Sequence, residues 1–219
     1  MRPLVKPTKY NEYMKKIAYL LLILTLAACS CPNTEQPQQT DLAAAFDSLA
    51  MSRRSIRQFS PASISRDTLD LLLRHGINAP NGRNLQAYEL RVVDDAELLA
   101  QISEAVKHDN PEEARAEGSI FFDSKCVIFI ANDTSYDMSQ VDCGLLGENI
   151  ILSAWSLGIG SCCMAHPVRL MKTSPACAPL LERLGFSQGY NLLYSIVLGY
   201  PEEQPEARPR KAAMVKYVD

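Results

Sequence analysis

Three separated segments of this 219-residue chain carry side chains able to grip an anion. The first, Arg53-Arg54-Ser55-x-Arg57, sets an arginine pair beside a serine, a trio that can cradle a phosphate through charge-assisted, partly bidentate hydrogen bonds. The second is Pro80-Asn81-x-x-Asn84-x-Gln86, and the third is Arg208-x-Arg210 at the end of a proline-rich tail. Each alone is as compatible with a solvated face as with a ligand. No Ser/His/Asp or paired-carboxylate arrangement accompanies them, so nothing points to a side-chain nucleophile or a general acid–base pair. Neither C-x-x-C nor Cys/His ligand spacing occurs among the cysteines, which sets a structural metal aside.

These segments need elements to bring them together. Asp41 to Met51 spaces Leu42, Ala45, Phe46 and Leu49 as a helix and runs straight into the first arginine cluster. A second helix is predicted with Ser65 as cap, Asp67 in its first turn, and Leu69, Leu72, Leu73 and Ile77 on one face; it stops near Pro80-Asn81-Gly82. Tyr88 to Val93 is predicted as a short strand, Ala96 to Val106 as a helix, Asn110 to Glu117 as a polar connection, and Val127 to Ile130 as a buried strand. Leu145 to Leu157, apolar on nearly every side, reads as a helix enclosed by protein at the centre of the core, with Gly158 placed to end it. Leu192 to Leu198 is a last strand, and Pro201 to Pro209, too polar to pack within its own subunit alone, is expected to reach a partner surface. Helices and strands mix without regular βαβ units or an internal repeat, which gives an α+β class.

With 47% hydrophobic side chains the chain can bury one sizeable core, and its length suits one domain. A formal net charge of -3 offers no basic footprint for nucleic acid. The first residues stand apart. Met14-Lys15-Lys16 precedes an apolar run, Ile17 to Leu26, that ends in Leu26-Ala27-Ala28-Cys29 and resembles a bacterial lipoprotein signal. Residues 1–28 are therefore expected as a signal peptide, with Met14 as the true start and Cys29 as the lipidated mature terminus. Residues 29–40, rich in Pro, Gln and Asn, would be a tether, and 41–219 the folded domain. The membrane contact implied is the lipid anchor alone, and the location is the cell envelope, on the periplasmic side or at the surface of the outer membrane.

Together with Leu157-Gly158-Ile159-Gly160-Ser161-Cys162 and Val197-Leu198-Gly199-Tyr200-Pro201, the three charged segments resemble the nitroreductase family, whose members open with R-R-S-x-R and close with L-G-Y-P followed by R-x-R. The resemblance covers Leu49 to Lys211, and its specificity lies in five segments recurring in order. It implies a central, mostly antiparallel sheet flanked by helices, and a homodimer with FMN at the subunit interface. The C-terminal extension would reach the partner. NADH or NADPH would supply electrons to a nitroaromatic, quinone or similar small acceptor.

Carried over residue by residue, the resemblance gives Arg53, Arg54 and Ser55 to the FMN phosphate and ribityl chain, and Arg57 to the pyrimidine edge. Arg208 and Arg210 would complete the phosphate clamp. Pro80, Asn81, Gly82 and Asn84 would touch the ring from the other subunit, Asp142 and Leu145 would make weaker contacts, and Met164, Ala165 and His166 would pass the flavin N5 face. No residue is assigned a catalytic role. Two departures stand out: Asn81 where the family often has Ser, and Ala165-His166 where it has Gly. The imidazole of His166 would narrow the substrate pocket or donate a proton, against the plainer reading of an outward-facing loop histidine. Inert packing is the plain reading of Cys162 and Cys163. A lipid anchor outside the cytoplasm is hard to reconcile with a reduced nicotinamide donor. Two alternatives follow: a reductase fed by a membrane or periplasmic redox partner, or a non-catalytic FMN-binding lipoprotein.

Overall fold

The computed structural model describes residues 39–114 and 117–218. The expected signal peptide, Cys29 and the tether as far as Gln38 lie outside the described residues. The chain divides after Ala44, and the account below concerns the unit from Ala45 onward.

Four strands, β1 (Tyr88–Val93), β2 (Cys126–Asp133), β3 (Gly160–Met164) and β4 (Tyr190–Gly199), form one sheet in the order β1-β2-β4-β3. Every neighbouring pair is antiparallel. The central strand β2 reads Cys-Val-Ile-Phe-Ile-Ala because both its faces are covered, and Val127 to Ile130 have no exposure at all. Val127 and Phe129 point into one core, with Leu99, Ile102 and Val106. Cys126, Ile128 and Ile130 point into the other, with Leu72, Leu146 and Ile150. Each buried Ile or Phe contributes about 1.5–3 kcal/mol, so the sheet is held from both sides.

The helices divide between those cores. Following α1 (Gln39–Ser52), α2 (Arg66–Ile77) packs with α4 (Ser139–Ser156) over one face, while α3 (Ala96–Asp109), α5 (His166–Thr173) and α6 (Ala178–Leu184) cover the other. The Ser65 cap is as the sequence implies, its Oγ accepting the Thr68 N–H at 3.2 Å. Gly158 takes φ +72°, and the Ile159 N–H reaches back to Ala154 O at 2.9 Å, which closes α4 with a left-handed turn.

Several boundaries differ from those read in the sequence. The first helix starts at Gln39, inside the expected tether, and α3 runs on to Asp109. The helix read from Leu145 begins six residues earlier, at Ser139, whose buried hydroxyl lies within donating reach of Asp133 O at 2.7 Å and Tyr136 O at 2.6 Å. Nor is α4 enclosed on all sides, since Val141 is 52% and Leu145 43% exposed. Strand β3 and helices α5 and α6 carried no clear local signal. Gly-Ser-Cys-Cys-Met has no β-branched residue, and it becomes a strand because β4 offers an edge to pair with. No helix among the described residues is long and apolar enough to cross a membrane.

Candidate functional site

The first arginine cluster is seated on strand β3. Ser55 bridges Ser161 in parallel, and the Ile56 N–H donates to Ser161 O at 2.9 Å. Between the polar residues on either side, Ile56 is fully buried. It lies so close to β3 that a Cβ on Gly160 would stand 2.7 Å from its Cγ1. A bare glycine backbone therefore lets the hydrophobic residue sink while Ser55 and Arg57 face outward.

The C-terminal tail joins the same segment, in the same subunit. Phe59 bridges Pro201, the Ser60 N–H donates to Tyr200 O and the Glu202 N–H to Gln58 O, both at 2.9 Å. The Glu203 carboxylate accepts the N–H groups of both Arg57 and Gln58. The expectation that this polar tail could not pack on its own subunit is thus corrected for residues 201–203, because backbone pairing and one carboxylate satisfy it there. Glu203 was missed in the sequence, where it sits in a polar run without periodicity.

Beyond that strap, Pro205, Ala207, Arg208 and Arg210 meet Arg53, Arg54, Ser55 and Arg57 around a cavity of about 310 Å³. Five guanidinium groups line it against one carboxylate, Glu206. Arg53 Nε is buried without a hydrogen-bond partner, and Glu148 Oε1 stands 4.0 Å away. Such an orphaned donor in a cationic cavity fits a phosphate, which would supply the missing acceptor. Arg54 is less free than expected: its Nη1 donates to Met51 O and Arg53 O, both at 2.8 Å, and so caps the end of α1. Arg57 Nη1 donates to Ser55 O at 3.2 Å, with its guanidinium 6.0 Å from the Phe122 ring centroid.

The other expected site residues fall into two further groups, neither of which lines this cavity. Pro80 to Gln86 forms a tight loop in which Arg83, Asn84 and Gln86 all take left-handed φ of 50–56°. Three such non-glycine residues store backbone strain of about 1 kcal/mol each. Asp142, 4% exposed on α4, accepts the Gly82 N–H with Oδ1 at 3.0 Å, while its buried Oδ2 has no hydrogen-bond partner. Leu145 projects one turn further along α4.

The third group follows the end of β3. Met164 is 7% exposed, Ala165 precedes α5 without capping it, and His166 is that helix's first residue. His166 is exposed, but it does not sit on a loop: Nε2 lies 3.3 Å from Glu113 O and Nδ1 3.3 Å from Arg169 Nη2. On β3 itself Cys162 is buried, with burial pushing its thiol pKa up, whereas Cys163 is exposed. Among the described residues no group of three or more His, Cys, Asp or Glu could hold a metal ion.

A sheet covered on both faces, with an arginine-lined cavity beside its edge strand, defines an α+β protein with a cationic recess at the margin of its core. The sequence pattern of the nitroreductase family matches residues 50–200, and the chain belongs to that family. A protein of Archaeoglobus fulgidus, provisionally named an NADH dehydrogenase/NAD(P)H nitroreductase, is 30% identical over 159 residues, 70% of this chain and 84% of that one. The NADPH-flavin oxidoreductase of Vibrio harveyi is 26% identical over 172 residues, covering 75% of this chain and 69% of its own. Among solved structures, a Desulfitobacterium hafniense nitroreductase with bound FMN superposes with a TM-score of 0.70 at 27% identity, over 78% of this chain and 96% of that one.

Proposed function

We propose that this chain binds FMN between two copies of itself and passes electrons from NADH or NADPH to a nitroaromatic, quinone or similar small acceptor. The observation that carries the reading is the cavity lined by Arg53, Arg57, Arg208 and Arg210, beside which Arg53 Nε is buried without a hydrogen-bond partner. The relatives' names, which include NADPH-flavin oxidoreductase, support the same reading. Arg53, Ser55 and Arg210 would hold the phosphate, with Arg208 beside them. Bound flavin supplies a hydride acceptor and donor at N5. Arg57, two residues along from Ser55, would stand at the pyrimidine edge, where a cation favours the anionic reduced ring. Pro80 to Asn84, held by Asp142, would approach the ring from the second copy. An exposed apolar stripe supports that pairing: Met138, which precedes α4, is 47% exposed, and Val141 and Leu145 on it are 52% and 43% exposed. Cys29 would tie the protein to the cell envelope as a lipid anchor, a role tested by loss of radiolabelled palmitate incorporation in Cys29→Ala.

The direct test mixes the full-length chain with FMN, records the flavin spectrum, and adds NADH or NADPH separately without oxygen. Bound flavin that bleaches, then reoxidises with a quinone, is the expected outcome; the bleaching nucleotide identifies the donor. Arg53→Ala with Arg210→Ala should abolish uptake. Flavin that binds but does not bleach with either nucleotide would replace the donor with a separate redox partner. If flavin reduced by added dithionite is then reoxidised by quinone no faster than free FMN, the protein is a flavin carrier, and absence of uptake by the intact chain would sink both readings.

A further inference from the structure

We infer that His166, Arg169 and Lys172 form an anion-binding subsite that selects substrates carrying a carboxylate or phosphate, an inference that rests on the flavin site proposed above. The three residues recur at i, i+3 and i+6 along α5, so they share one exposed face of that helix. They line a cavity of about 480 Å³ that Ala165, Thr173 and Leu193 also border. Its position follows from the chain path. Ser55 is paired with Ser161, Arg57 comes next, and β3 then runs to Met164, after which Ala165 opens the cavity. Four residues of strand carry the chain about 13 Å from the phosphate end of the site. The basic face therefore lies past the end where the ring would exchange its hydride.

The charge there is incompletely compensated. Lys172 Nζ is held by neutral oxygens, Asn191 Oδ1 at 2.6 Å and Leu192 O at 3.3 Å. Those contacts orient the ammonium without neutralising it. Arg169 is paired with the Glu113 carboxylate, and this arginine lowers the pKa of Glu113 by hydrogen bond and charge. Both members of the pair are more than half exposed, Arg169 by 56% and Glu113 by 53%. An incoming anion can therefore displace Glu113, which serves as an internal competitor for the arginine.

Opposite effects on binding follow. Kd is read from the flavin difference spectrum of the oxidised, FMN-loaded full chain, without turnover, for 4-nitrobenzoate and for nitrobenzene. Lys172→Gln should raise the ratio of the two Kd values about tenfold, the worth of one charge-assisted hydrogen bond. Glu113→Gln should lower that ratio by releasing Arg169. If the anion is a nucleotide phosphate instead, the ratio of KM values for NADPH and NADH shifts in the same directions while the nitrobenzoate ratio stays put. Neither ratio moving, or both variants moving a ratio the same way, overturns the subsite. Should the chain take up no flavin, the flavin reading fails separately. The subsite is then read by amide chemical shifts of His166–Thr173 on adding benzoate to the flavin-free chain. Shifts suppressed in Lys172→Gln retain it, and their absence in the unmodified chain overturns it.

Discussion

The contact between Ile56 and Gly160 joins the core to the arginine cluster, and a double-mutant cycle measures it. Ile56→Ala deletes three carbons from a side chain with no exposure, a change that costs about 3 kcal/mol in a core that relaxes only partly. Gly160→Ala does the reverse. Its new methyl would sit 2.7 Å from Ile56 Cγ1, 2.9 Å from Cβ and 3.2 Å from Cγ2, inside the normal carbon contact distance of about 3.5–4.0 Å. Because Gly160 does not use the left-handed backbone region, the cost is overpacking alone, about 1–3 kcal/mol. In the double variant Cγ1 and Cγ2 are gone; the remaining close contact, to Cβ at 2.9 Å, can relax into the space they vacate. The double variant should fall within about 1 kcal/mol of Ile56→Ala, a favourable coupling of about 1–2 kcal/mol. Urea unfolding of the full chain reads it through Trp155, whose indole N–H donates to Ser52 Oγ at 2.9 Å. Additive costs, within about 0.5 kcal/mol, would refute the close packing of Ile56 on β3. Each single variant should also weaken FMN uptake, since Ser55 and Arg57 flank the displaced residue.

The strained loop gives a second expectation: Gln86→Gly should be about 1 kcal/mol more stable than Gln86→Ala in urea, because only glycine adopts φ +50° freely. Asp142→Ala should cost about 1–3 kcal/mol by stranding the Gly82 N–H, with Asp142→Asn milder because its Oδ1 still accepts; equal losses in both would contradict this. Asp109 gives a pH dependence. The Ser174 hydroxyl, then the Ala176 N–H and His108, pull its carboxyl down to about 2, so its stabilisation is complete above the ordinary carboxylate pKa and drains away as pH falls toward 2. Asp109→Asn should flatten the acid limb of thermal stability between those values, and an unchanged limb would count against the staple.

Local pattern was enough wherever a residue's role depends on its immediate neighbours. The β2 run needed only its own apolar composition to be read as buried, and Ser65 only the helix that follows it. The ordered charged segments were likewise legible, because charge is a property of residue type. What stayed hidden depends on pairing between distant positions. Strand β3 exists because β4 lends it hydrogen bonds, and its small polar residues announce nothing by themselves. Glu203 reaches Arg57 across 146 positions of chain, and residues 201–203 are polar by composition yet satisfied by their own subunit. Sequence alone determined which side chains could bind an anion and which runs could be buried, since those are properties of residue type and spacing. Only the tertiary structure decided that two arginine clusters close one cavity, that Arg54 caps a helix, and that Glu113 pairs with Arg169. Each of those outcomes is a distance between groups remote in sequence, and long-range packing sets such distances.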